Sequence, residues 1–171
     1  MRSARGVTLL ELIVTASIIA IAGVLVFAVP FRDYARSRAA SDAAATLAQD
    51  LALLERVAQN GGANDGATLM IVSDNPLVYE CRYGRPNALD PNSTLGATIV
   101  RRFFTGVVLE AGPIDATTPL LFASNGSAQY VTRGAWADQH QTVELRLIPS
   151  SDEARAAKVD VNLFTGAISL P

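Results

Sequence analysis

Residues able to carry covalent chemistry are few in this chain. His140 is its single histidine and Cys81 its single cysteine in 171 residues. His140 stands among Asp138, Gln139 and Gln141 in a polar segment ahead of a strand. With many serines present, composition alone leaves a Ser-His-Asp arrangement open, but the local setting is that of a solvated loop histidine. Cys81 falls between Glu80 and Arg82 within a strand, on the face shared with Tyr79 and Tyr83. That is the setting of a small buried residue rather than a nucleophile. A zinc site needs clustered Cys and His, which are absent. Oxygen donors gather at Asn60, Asn64 and Asp65, and again at Asp90 and Asn92, without the spacing of a calcium loop. Turn chemistry accounts for them. No glycine-rich phosphate loop follows a strand. The expectation is a protein that is not an enzyme, with no catalytic residue, no metal and no cofactor.

Glu11 is the carboxylate that needs a reason. It stands at the head of an apolar run, residues 12–31, in which no side chain is charged. At about 1.5 Å per helical residue such a run is long enough to cross a hydrocarbon core of roughly 30 Å. It reads as a transmembrane helix, with Gly23 inside it and Pro30 near its end, where a proline bends or ends a helix. A charge in such a helix is costly and marks function. A secretory signal would use Arg2 and Arg5 as its basic region and Ala20-Ile21-Ala22 as its cleavage site, but Glu11 would then lie inside the apolar region. No cysteine lies near the segment to accept a lipid.

Gly6-Val7-Thr8-Leu9-Leu10-Glu11-Leu12-Ile13-Val14 resembles the class III signal of type IV prepilins and type II secretion pseudopilins. The resemblance implies that a prepilin peptidase cuts between Gly6 and Val7. It also implies that Val7 becomes the methylated amino terminus and that Glu11 is the fifth residue of the mature chain. Val7 stands where phenylalanine or methionine is usual. The physical logic of Glu11 follows: the amino group at Val7 of one subunit neutralises the carboxylate of a neighbour, so both charges are satisfied only when helices stack in register. The family fold this implies is a long helix packed on an antiparallel sheet. Its partners are the peptidase, other pilin or pseudopilin subunits along the helix, and the inner membrane.

Charge and composition fit that expectation. Hydrophobic residues make up 50% of the chain, as expected when a spanning helix is added to a modest core. With Arg2 and Arg5 removed, 14 Lys and Arg fall to 12 against 16 Asp and Glu, a formal charge of about −4. That balance offers no general attraction for nucleic acid. A lone Cys81 excludes an internal disulfide, so the carboxy-terminal disulfide loop of many major pilins is missing, which points to a minor subunit. Arg2 and Arg5 precede the apolar run and Arg32, Arg36 and Arg38 follow it, so local charge does not fix orientation. The resemblance places the leader in the cytoplasm, the apolar helix across the inner membrane and the β domain in the periplasm, before the subunit passes into a pilus or pseudopilus.

The elements that position these residues follow from periodicity. Ala40, Ala44, Leu47, Leu51, Leu54 and Ala58 recur at helical spacing, while Arg36, Asp42, Gln49, Asp50, Glu55, Arg56 and Gln59 are free to face solvent. Asn60-Gly61-Gly62 closes the helix. Beyond it, strands are predicted over 68–72, 77–83, 98–104, 107–111, 120–123, 129–132, 142–148, 157–163 and 167–170. Asn125-Gly126 is a hairpin signal, Val143, Leu145 and Leu147 alternate with Glu144 and Arg146, and Phe164-Thr165-Gly166 turns the last hairpin. The fold class expected is α+β: a leader at 1–6, a transmembrane helix half at 7–31, an amphipathic half at 32–62, and an antiparallel β domain at 63–171.

The segments Leu121-Phe122-Ala123-Ser124-Asn125-Gly126, 143–147 and 159–169 are similar to the H-type pseudopilins of type II secretion and to FimT-like or FimU-like minor pilins. Some FimT-like pilins are DNA receptors, which makes Arg101-Arg102-Phe103-Phe104 the local candidate for nucleic acid. Strand alternation puts Arg101 and Phe103 on one face and Arg102 and Phe104 on the other, so the charges form no single patch and direct binding is not expected. The rival from another class is an exported enzyme or binding domain on an uncleaved anchor, with a site in the loops 84–96 or 112–119.

Overall fold

Thr8 starts the helix. Its carbonyl accepts from the amides of Glu11 and Leu12 at 3.0 and 3.2 Å, and α1 follows over Leu9–Asn60. This architecture comes from a computed structural model that describes residues 8–61, 66–87, 95–110, 112–132, 135–137, 141–150 and 156–171, with the side chains of 25–33, 35–37 and 132–137 left outside. The chain divides into two units, Met1–Ala35 and Arg36–Pro171.

In the first unit the helix is apolar all round: Leu9, Leu10, Leu12, Ile18, Ile19 and Val24 are all exposed. A helix with no polar face needs lipid or other helices around it. The backbone stays helical through Pro30. Among the described residues no helix is long and apolar enough to cross a membrane. The run predicted to cross includes 25–31, whose side chains lie outside the described residues.

The second unit joins the rest of α1 to ten strands among the described residues. They are β1 Ala67–Asp74, β2 Leu77–Tyr83, β3 Thr98–Phe104, β4 Val107–Leu109, β5 Leu120–Phe122, β6 Ala128–Thr132, β7 Ala135–Ala137, β8 Thr142–Pro149, β9 Ala157–Asn162 and β10 Ile168–Ser169. All pairings are antiparallel, in a six-stranded sheet ordered β3-β2-β1-β5-β6-β7 and a four-stranded sheet ordered β10-β9-β8-β4. The α+β arrangement is therefore as expected, with the β residues split into two sheets.

One core serves helix and sheets. Leu47, Leu51 and Leu54 cluster with Leu69, Tyr79 and Phe122 of the larger sheet and with Leu145, Leu147 and Val161 of the smaller one. Each such side chain contributes about 1.5–3 kcal/mol by leaving water. The alternation expected in β8 is present: Val143, Leu145 and Leu147 are buried and Glu144 is exposed. The strands β3 and β4 carry the chain from one sheet to the other through Gly106, at φ +79. Gly126 turns the β5–β6 hairpin at φ +85, and Gly166 turns β9 into β10 at φ +72, a backbone region open mainly to glycine. These two turns meet, and a Cβ on Gly166 would run into the Gly126 carbonyl oxygen.

Asp50 departs from the sequence reading. It was expected to face solvent, yet it is 5% exposed and lies within the helix's packed face. The reason is positional: Asp50 falls three residues after Leu47 and four before Leu54, inside the stripe. The other buried polar residue among those described, Thr68, donates its hydroxyl to the Gly84 carbonyl at 2.7 Å. The strand β7 was not anticipated at all.

Candidate functional site

The amino-terminal candidates Gly6 and Val7 lie outside the described residues. Glu11 is described. Its amide donates to the Thr8 hydroxyl at 3.3 Å, which makes Thr8 the cap and Glu11 the third helical residue. There the carboxylate sits in the first turn, at the end of the helix whose dipole favours negative charge. It is solvent-exposed, and its chain neighbours Leu9, Leu10 and Leu12 are exposed apolar residues. Thr15 and Ser17 turn their hydroxyls back to the carbonyls of Glu11 and Ile13, each at 2.8 Å, and so add no polar face to the helix. The arrangement places one exposed carboxylate in the first turn of a helix whose exposed side chains are mostly apolar.

Arg101 and Arg102 occupy adjacent positions of β3 and are sent to opposite faces of the sheet. Arg101 lies opposite Glu80 in the register, and the Glu80 carboxylate holds both Arg101 at 3.3 Å and Arg82 at 3.2 Å. Phe103, on the same outward face, is 64% exposed. Arg102 points toward the helix and grips Asp50 with two nitrogens: Nε to Oδ2 at 2.9 Å and a terminal nitrogen to Oδ1 at 3.2 Å. The Tyr79 hydroxyl donates to the same Oδ2 at 2.9 Å, and the Tyr79 ring stacks on Phe104 at 5.9 Å. One carboxylate of the helix thus ties two neighbouring strands, β2 and β3.

The electrostatics follow from this geometry. The hydrogen bond to Asp50 and its charge hold the Arg102 guanidinium above its ordinary range. Burial, then the hydrogen bond to Asp50, pushes the Tyr79 hydroxyl above its usual range. Burial beside the same carboxylate pushes the Cys81 thiol up to about 12. A fully buried thiol kept protonated is no nucleophile. Burial and the charge of Asp115 raise Asp74. Burial acts against Asp115 as well, but hydrogen bonds from Thr117 and Thr118 outweigh it and hold that carboxyl below its ordinary range.

His140, Asp138 and Gln139 lie outside the described residues, as do Asn64, Asp65, Asp90 and Asn92. Among the described residues no three His, Cys, Asp or Glu side chains gather as a metal site would require. Of the loop 84–96, expected to hold any ligand site together with 112–119, residues 88–94 lie outside the described residues. The segment 112–119 folds on itself, with Ile114 buried and the amide and hydroxyl of Thr117 donating to Asp115 at 2.7 and 2.8 Å. Sequence reading missed the Asp50 cluster. The available signals were helical spacing within the leucine stripe and the shared strand phase of Arg102 with Phe104.

Residues 1–27 match the family described as the prokaryotic N-terminal methylation motif. No curated protein and no solved structure matches the chain.

Proposed function

We propose that this chain, whose first 27 residues carry a type IV pilin-like class III signal, is a structural subunit of a type IV pilus or type II secretion pseudopilus, and a minor one placed at the tip to prime assembly. The signal marks a substrate of prepilin peptidase that is matured at its amino terminus and assembles with other pilins. The membrane stores the apolar helix until it is drawn into a fibre, with the second unit in the periplasm. The observation that carries this reading is the methylation motif with Glu11 in the first turn of an exposed apolar helix. In a stack of such helices the Glu11 carboxylate is desolvated, and the methylated amino group at Val7 of the next subunit is the cation within reach of it. The missing disulfide supports the minor role. Arg101 and Arg102 each already face a carboxylate, which favours a structural role over a DNA-binding one.

Replacing Glu11 with Ala removes the anion and leaves the neighbour's amino group buried without its partner, a defect worth about 3–5 kcal/mol. Cleavage after Gly6 is expected to continue, because the peptidase acts before stacking. The amount of this chain in sheared fibres is expected to fall at least tenfold. Unchanged incorporation of Glu11→Ala would refute the pairing.

A further inference from the structure

The helix face that meets the sheets is built from Ala43, Ala44, Leu47, Leu51 and Leu54. Contacts of this kind are non-directional. A slide of one helical turn, about 5.4 Å, would bring Leu51 to the place of Leu47 and Ala44 to that of Ala40. Although Leu47 would then crowd the place of Ala43 and Ala58 underfill that of Leu54, every exchange along the stripe is of one apolar group for another and is opposed by size alone. Asp50 is the exception. Its Oδ2 accepts from the Tyr79 hydroxyl and from Arg102 Nε, both at 2.9 Å, while its Oδ1 accepts from a second Arg102 nitrogen at 3.2 Å. Any slide or rotation of the helix would carry this carboxylate away from all three donors. A two-pronged guanidinium–carboxylate contact is directional in a way that leucine packing is not.

We propose that Asp50, Arg102 and Tyr79 form a register key: they contribute little to bulk stability but fix the one rotation and height at which the helix docks on β2 and β3. Arg102 is a positioning residue in this account, and its partner is the helix of its own chain. The key also secures β3 at the sheet's edge, just before the chain crosses to the second sheet. Buried ion pairs replaced by apolar groups of similar size often leave stability unchanged or higher, and in coiled coils a single buried polar residue is what fixes the register.

The chain carries its own reporter. Cys81 is its single cysteine, fully buried on β2 two residues from Tyr79. In the full-length chain in mild detergent, the rate of Cys81 labelling by a thiol reagent reports how often the helix leaves its seat. The variant Asp50→Leu with Tyr79→Phe and Arg102→Met keeps the space filled. Its unfolding midpoint is expected to match or exceed the wild type while Cys81 labels at least tenfold faster. Arg102→Lys keeps the charge but not the fork, and is expected to label several-fold faster than wild type. Labelling no faster than wild type in either variant would overturn the proposal. So would a triple variant that fails to fold, since the trio would then supply stability rather than register.

Discussion

Replacing Arg102 with Ala tests the energetics of the cluster. The substitution leaves the Asp50 carboxyl inside the helix–sheet contact with Tyr79 as its remaining side-chain donor among the described residues. Breaking a fully buried pair by removing one partner costs about 3–5 kcal/mol, and an exposed pair is worth about 0–1. Here the side chain of Asp50 is 7% exposed and that of Arg102 is 45% exposed, so water screens one side of the pair and the expected cost is intermediate, about 2 kcal/mol. For a domain of this size that corresponds to a fall in Tm of roughly 5–10 °C. Thermal unfolding of the full-length chain, followed by fluorescence of its single tryptophan, Trp136, reads the shift. Arg101→Ala is the control, because Arg101 is 63% exposed on the outward face and its loss is expected to cost no more than about 0.5 kcal/mol. The reasoning is refuted if the two variants melt within a degree of each other.

Two further perturbations probe other parts of the domain. Gly166→Ala forces a side chain into the left-handed region and against the Gly126 carbonyl, and is expected to lower stability by about 1–3 kcal/mol in urea unfolding. An equally stable variant would mean that the two hairpin turns do not meet as described. Asp74 is raised by burial and by Asp115, so its charge opposes folding once pH rises above its folded value, and the stability it withholds returns below the ordinary value of 3.8. Asp74→Asn is therefore expected to stabilise the chain at neutral pH, with the gain vanishing near pH 3. A gain that persists at low pH would assign it to something other than charge.

Much of the architecture was legible because periodicity and turn chemistry are local. The strands β2 and β3 fall at the residues predicted, and Asn125-Gly126 turns a hairpin where a left-handed glycine was required. The division into two sheets was not legible. That β1 lies between β2 and β5, and that β4 leaves β3 to pair with β8, are non-local facts with no sequence period. The strand β7, Ala135–Ala137, is too short to show alternation. Asp50 is buried against the expectation from its residue type, because its spacing from Leu47 and Leu54 places it in the core stripe of the helix. Of the candidate site, the place of Glu11 in the first turn of a long helix was legible from a single charge heading an apolar run. The partnership of Arg102 with Asp50 spans 52 residues of sequence and needed the fold.

The central claim is that the amino terminus is matured as a pilin's is, and the most direct measurement is the intact mass and amino-terminal sequence of the protein from membranes, with and without a prepilin peptidase. The account predicts a chain that begins at Val7, carries one added methyl group and appears only when the peptidase is present. A chain that begins at Gly23, or one that keeps Met1 whether or not the peptidase is there, would contradict it.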